Sequence, residues 1–317
     1  MEEPRVRHHY VPQFYLKQFA RDQAEAALYV VDLETRRSFT TGTRAIALER
    51  HFHTIEVAGQ PSDIVERALA DFEGSVAAAL SHILNRGFLG GDADAQTLLF
   101  FATLLLLKNP AVRAKMDDAV NTFMKMVGKA QASNAEAFAE HITEMMADGS
   151  MPADTDVDAL RGALLEGSHT ISMATGGHLQ NELENAHDLY PFVVGRNWHF
   201  LIAKAGQFIT SDRPVVLNWA NPQTAEPPGL ALKGSRVLFP LAPTVAINGG
   251  LELSNQTIEL DRGGVARING RIIRQARRQI YARDDGFEYQ LKEDEEPRSG
   301  CDLANEKRLI PNADDNE

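Results

Sequence analysis

Two histidines stand side by side near the start of the chain, His8 and His9, and a carboxylate lies far downstream in Ser211-Asp212-Arg213-Pro214. An imidazole and a carboxylate are the ordinary partners of general acid–base chemistry, the histidine moving the proton and the acid orienting it. In an extended segment, adjacent side chains point to opposite faces, so one site can readily use only one of the two imidazoles. Tyr10, Gln13 and Tyr15 sit in the same stretch and would hold a substrate beside them. A second pair, His51 and His53, has the i, i+2 spacing that places both rings on one face of a strand. With Asp212 or Glu49 as an oxygen ligand, that set suits zinc, manganese or iron. Such a divalent metal would activate water or polarise a phosphoryl oxygen. Each feature has a plainer reading. The paired histidines can bond a main-chain carbonyl, His51 and His53 can face solvent from an edge strand, and an Asp before Pro commonly closes an Asx turn. Ser211 has no strand–G-x-S-x-G–helix setting, which argues against a nucleophile there.

Charge marks a second candidate. Residues 262–283 hold seven arginines and no acid, and residues 284–317 hold 12 acids and 4 bases. On a helix predicted over 270–282, capped by Asn269, Arg271, Arg274 and Arg278 fall at i, i+3 and i+7. Ile273, Ala276 and Ile280 would then form the buried side. A row of guanidiniums matches phosphate oxygens in bidentate fashion, and a polyanion or nucleic acid is its natural ligand. The favoured alternative is a solvated helix face that pairs with the acidic tail.

The elements that position these groups follow from periodicity and punctuation. Residues 27–33 read as a strand, with a turn at 34–37 into a second strand at 38–41, and 51–57 alternate like a third. Pro61-Ser62-Asp63 caps a helix in which Ile64, Ala68, Phe72, Val76, Leu80 and Ile83 recur at helical spacing, stopped by Gly87. Helices are predicted from Ala95 to Lys108, onward through Met126, over 135–147 and over 155–189. Short strands separated by Gly, Pro and Asn fill 192–248. Strands, then helices, then strands argue α+β, with a mixed or antiparallel sheet from the N- and C-terminal segments and a helical middle over about 61–190. The predicted organisation is a single domain over 1–283 and a disordered acidic tail over 284–317.

The apolar fraction of 44% across 317 residues excludes a wholly disordered chain, and a single cysteine, Cys301, excludes an intramolecular disulfide and a cysteine-based zinc site. The longest apolar run, Leu98 to Leu107, is about half of the ~20 residues a spanning helix needs, so it reads as a buried core helix. MEEPRVRHHY lacks the apolar stretch of a signal peptide, and the reading is a cytoplasmic protein without a membrane partner.

His8 to Phe19 (HHYVPQFYLKQF) resembles the opening of a bacterial family, domain of unknown function 4238. LYVVDLETRRSF to ERHFHTIE, then FITSDRPV at 208–215, VLFPLAPTVAI at 237–247 and INGRIIRQARRQIYA at 268–282 follow in the same order. The resemblance spans roughly residues 5–283 and departs from the family pattern at His53 and Arg213. It brings no activity with it. Two functions are therefore carried forward. The first is a hydrolase of a phosphodiester or nucleic acid, metal-assisted or metal-free, centred on His8, His9 and Asp212. The second is a non-catalytic binding or regulatory module in which HHYVPQFYL is a packing motif.

Overall fold

The computed structural model describes residues 7–22, 24, 26–50, 52, 64–292 and 295–309. In chain order the N-terminal part is β1 (Arg7–His9), α1 (Gln13–Leu16), β2 (Ala27–Asp32), β3 (Arg37–Gly42) and β4 (Leu48–Arg50). The helical middle is α2 (Ile64–Arg86), α3 (Ala93–Leu107), α4 (Pro110–Ala132), α5 (Ala135–Ala147), α6 (Val157–Glu166) and α7 (Thr175–Val194). The C-terminal part is β5 (Asn197–Ala203), β6 (Thr210–Ser211), β7 (Val216–Trp219), β8 (Ser235–Ala242), β9 (Val245–Gly250), β10 (Gln256–Leu260), α8 (Arg262–Gln275), β11 (Gln279–Ala282), β12 (Glu288–Tyr289) and β13 (Arg298–Ser299). This is an α+β fold whose sheets come from both ends of the chain.

The chain divides into two compact units, 1–109 with 179–317, and 110–178. In the first unit a four-stranded antiparallel sheet runs β3-β2-β11-β6, so a strand from residues 27–32 pairs with one from 279–282. A five-stranded sheet runs β10-β5-β9-β8-β7, antiparallel except for the parallel β10–β5 pair. Alternate side chains of each strand enter two different cores. Val30, Tyr281, Phe200 and Phe239 join Tyr15, Leu80 and Leu98 in one. Val31, Ile280, Leu201 and Leu238 join Val265, Ile268 and Ile272 of α8 in the other. Burial on both faces is why residues 27–33 read as a nearly continuous apolar run.

The apolar run at 98–107 lies in α3, where Leu98, Phe101, Ala102 and Leu105 are buried, and Asp92 caps its start through Ala95 N at 3.1 Å. No single helix among the described residues is long and apolar enough to cross a membrane. In the second unit, Phe138 and Ile142 of α5 pack with Leu160 and Leu164 of α6 around Ala132.

Three expectations are corrected. The helix predicted over 155–189 is two helices, because Gly167 closes α6 in the left-handed region (φ 68°). The segment after it is tied down by α4, with Asn121 Oδ1 accepting from Ile171 N at 3.0 Å and Asp117 Oδ1 from Met173 N at 2.8 Å. The helix predicted over 270–282 is instead α8, which starts at Arg262 under an Asp261 cap and ends before the strand β11. Asn269, read as a cap, is fully buried inside α8, where it bonds Ile209 N, Gln207 O and Glu288 O.

The tail predicted to be disordered is folded through residue 309 as far as the structure describes it. Phe287, Tyr289, Leu291 and Leu303 are buried in the second core, and apolar burial of that extent offsets the entropy of ordering the segment. Glu306 takes a bidentate grip from Arg308 at 2.8 Å on each oxygen and also meets Arg298 and Tyr289. The Arg308 hydrogen bonds, against the opposing effect of burial, pull the Glu306 carboxyl from 4.5 down to about 2. A depressed folded pKa stabilises the fold above the unfolded value and ceases to do so as pH falls through the folded one. Glu306→Gln is therefore expected to lower the urea midpoint at neutral pH. The gap to the unmodified protein should close between about pH 4.5 and pH 2, the window that follows from those two values.

The strand predicted at 51–57 and the Pro61-Ser62-Asp63 cap fall, apart from Phe52, outside the described residues, as do His51 and His53.

Candidate functional site

Antiparallel pairing of β1 with β4 sets His8 opposite Glu49 and His9 opposite Leu48. Strand alternation then separates the two imidazoles: His8 is buried at 8% exposure and His9 is half-buried. His9 Nε2 faces the Thr43 carbonyl at 3.2 Å, and Nδ1 faces the Gln13 amide nitrogen at 3.4 Å. The carbonyl can only accept, so Nε2 carries a proton, and both nitrogens are engaged.

Pro12 then turns the chain (ψ 142°) into α1, whose short length is enough to aim Tyr15 inward. Tyr15 is fully buried. Its hydroxyl bonds both Thr210 Oγ1 and the Pro240 carbonyl at 2.7 Å, and its ring stacks on Phe239 at 5.3 Å. The residue read as a substrate contact is thus a bolt between α1, β6 and β8. Tyr15→Phe leaves Pro240 O and Thr210 Oγ1 short of a partner in a dry core. It is expected to lower the unfolding free energy by about 1–3 kcal/mol in urea titration, with the far-ultraviolet circular dichroism unchanged.

Asp212 lies just past β6 and is 3% exposed. Its N–H donates to Gln279 O at 2.9 Å. One carboxylate oxygen accepts from Arg277 N at 2.9 Å, and the other accepts from Arg278 N at 2.7 Å and Gln279 N at 3.1 Å. Among the described residues its carboxylate makes these three bonds and none to an imidazole. Burial pushes the Asp212 carboxyl above its ordinary value, and the three amides together with Arg213 only partly offset that rise. Ser211 Oγ bonds back to Arg213 at N and O, a local turn contact rather than a poised nucleophile. The carbonyl of Asp212 accepts from Asn109 Nδ2 at 3.1 Å.

Tyr10 of the first motif feels the charge of Asp212 in the second. Burial and then the Asp212 charge drive the Tyr10 phenol above its usual range, and the neighbouring Tyr281 hydroxyl lowers it in part. Tyr281 is raised well above its usual value by burial, Tyr10 and Asp212, and its hydroxyl bonds Gln279 Oε1 at 3.0 Å. Gln279 Nε2 passes the chain to Asp32 at 2.9 Å, and Arg278 Nε reaches the same oxygen at 2.8 Å. Burial acts to raise Asp32, and hydrogen bonds from Thr35, Gln279 and Arg278 outweigh it and hold the carboxyl below its ordinary value. The result is a polar thread, Tyr281–Gln279–Asp32–Arg278, running through the edge of the first core. Tyr281, Gln279 and Asp32 are absent from the sequence-level candidates. Their signal was the alternation of Gln279 and Tyr281 on one face of a strand.

The arginine row is not a row. Arg271 and Arg274 lie on α8, but Arg278 lies beyond its end and pairs with Asp32 and with Glu34 at 3.2 Å. Arg274 donates to the Leu291 carbonyl, Arg262 pairs with Glu288, and Arg283 pairs with Asp284 at 3.5 Å. These contacts favour the reading in which neighbouring acids partner the basic stretch.

Among the described residues no group of three or more His, Cys, Asp or Glu is arranged to hold a metal. His82 is exposed beside Asp94, and buried His178 donates from Nε2 to Asp117 at 3.0 Å, both ordinary polar contacts. Chemically the arrangement is a lock. Its donors and acceptors are spent on main chain and on each other, with Tyr10, His9 and Gln13 half-buried at its rim.

A family model described as a protein of unknown function (DUF4238) matches residues 7–286. No curated protein and no solved structure matches the chain.

Proposed function

We propose, for a chain that belongs to the DUF4238 family of proteins of unknown function, that it works as a non-catalytic binding or regulatory module. On this reading HHYVPQFYL and SDRP form a clasp that joins the two ends of the sequence. One observation carries it: both carboxylate oxygens of buried Asp212 are taken by the amides of Arg277, Arg278 and Gln279. A carboxylate that orients a catalytic histidine needs an oxygen directed at the imidazole, and a buried polar group with its bonds filled serves the fold.

The hydrolase reading keeps one observation of its own. The Thr43 carbonyl holds His9 in a single tautomer, as a general base must be held, but such a base would act without Asp212.

Incubating the purified protein with bis(p-nitrophenyl) phosphate and with a labelled oligonucleotide separates the two, each with and without magnesium, manganese or zinc. The module reading expects no turnover above the buffer blank. Hydrolysis that disappears in a folded His9→Ala variant would establish the hydrolase instead.

A further inference from the structure

We infer that the cavity between the α2–α3 loop and the start of β10 binds one uncharged ring that offers a flat apolar face and a hydrogen-bonding rim. A nucleoside base and a neutral pyranose share that chemistry. The cavity encloses about 350 Å³, near the lower end of the range for small-molecule sites, which suits a single ring system rather than a dinucleotide. Phe88, Trp198 and Phe200 supply its apolar walls, and Asn255, Gln256 and Thr257 its polar side. No lining residue carries a charge, so a charged ligand group placed there would lose hydration without gaining a partner.

The walls are built rather than accidental. Arg86 Nε donates to the Phe88 carbonyl at 2.9 Å, the same guanidinium reaches the Leu89 carbonyl, and it pairs with Asp92, the cap of α3. This clamp fixes a loop that passes through the left-handed region at Gly87 and Gly90. It keeps the Phe88 ring 52% exposed, with the Arg86 guanidinium 5.0 Å from the ring centre. Arg86 covers one face of this ring, and the other face is a stacking surface pinned at the cavity mouth. On the opposite side, Asn255 Oδ1 is committed to Trp198 N at 2.7 Å. Among the described residues no hydrogen bond uses Asn255 Nδ2 or the Thr257 hydroxyl, which leaves a donor and a donor–acceptor for the ligand rim. Gln256, opposite His199 in the β10–β5 register, turns its side chain to the other sheet face and bonds that imidazole at 3.0 Å, so Asn255 and Thr257 carry the polar rim of the cavity.

The inference rests on the binding-module reading for its purpose but not for its test, because the hydrolysis assay and the titration below fail separately. Trp219 is the other tryptophan in the chain, so in Trp219→Phe the emission reports Trp198 in the cavity wall. That variant is titrated with adenosine, with methyl β-glucoside and with adenosine monophosphate, and calorimetry on the unmodified chain repeats each titration. The expected result is a saturable change with adenosine or with methyl glucoside, which identifies the source of the ring. Phe88→Ala should weaken it about tenfold, the effect of removing one stacking ring, with an unchanged unfolding midpoint. Adenosine monophosphate should bind no better than adenosine. Three results would each overturn the inference: no saturation by either neutral probe at millimolar concentration, binding indifferent to Phe88→Ala, or binding that requires the phosphate.

Discussion

Asp212→Ala is expected to lower the unfolding free energy by about 3 kcal/mol. It strips partners from three main-chain N–H groups in a site with little access to water, each a loss of about 1–3 kcal/mol that a partly relieved carboxylate desolvation offsets. Asp212→Asn is expected to fall between. Its remaining oxygen can still accept from Arg278 and Gln279, while its new amide faces the Arg277 N–H. Urea titration of the three proteins checks the order. A catalytic Asp212 predicts a different pattern, unchanged stability with lost activity. The pH dependence carries its own sign. Burial holds the folded carboxyl above 3.8, so ionising it opposes folding, and that contribution grows as pH rises from the unfolded value through the folded one. Asp212→Asn removes this slope, which runs opposite to that of Glu306.

Gly270→Ala should be the more damaging change, at about 4 kcal/mol or complete loss of the folded state. Within an exposed helix the same substitution stabilises by about 1 kcal/mol. Here a Cβ on Gly270 would overlap the Gln290 carbonyl oxygen and lie 2.7 Å from its carbon. Both atoms are main chain, and Gln290 N is itself bonded to Ala266 O at 2.9 Å, so neither partner can yield locally. Moving the strand segment off α8 would withdraw Tyr289 and Leu291 from the second core, a cost in the range reserved for overpacked cores. Urea titration measures the loss. Limited proteolysis should cut the variant between residues 284 and 309 at protease levels that spare the parent. A stability equal to or above that of the parent would mean that α8 and the C-terminal segment do not touch.

What the sequence revealed was local. The apolar run in 27–33, the helical spacing from Ile64 to Ile83 and the apolar run in α3 need only their neighbours to be read, and each is found where expected. The errors arose where a distant group decided. Asn269 looks like a cap because Asn is a good one, but Asp261 stands eight residues earlier and Asn269 is consumed by Ile209, Gln207 and Glu288. The helical pattern through 276–282 is overridden because Asp212 captures the amides of 277–279 and β2 offers a partner for β11. The tail looked disordered because its acids dominate the composition. The four apolar residues that fix it, Phe287, Tyr289, Leu291 and Leu303, follow no simple period. At the site, the two motifs were legible as related, but the residue that links them was not. Tyr10 feels the charge of Asp212 and the hydroxyl of Tyr281, while His9 turns to Thr43.

The central claim is that the SDRP acid is a main-chain clasp, and amide hydrogen exchange at Arg277, Arg278 and Gln279 tests it most directly. The structure predicts that these three amides exchange nearly as slowly as the centres of β2 and β11. In Asp212→Ala they should lose that protection while the amides of α8 keep their own relative order. Exchange at the rate of an open turn in the unmodified protein, or protection indifferent to the loss of Asp212, would contradict it.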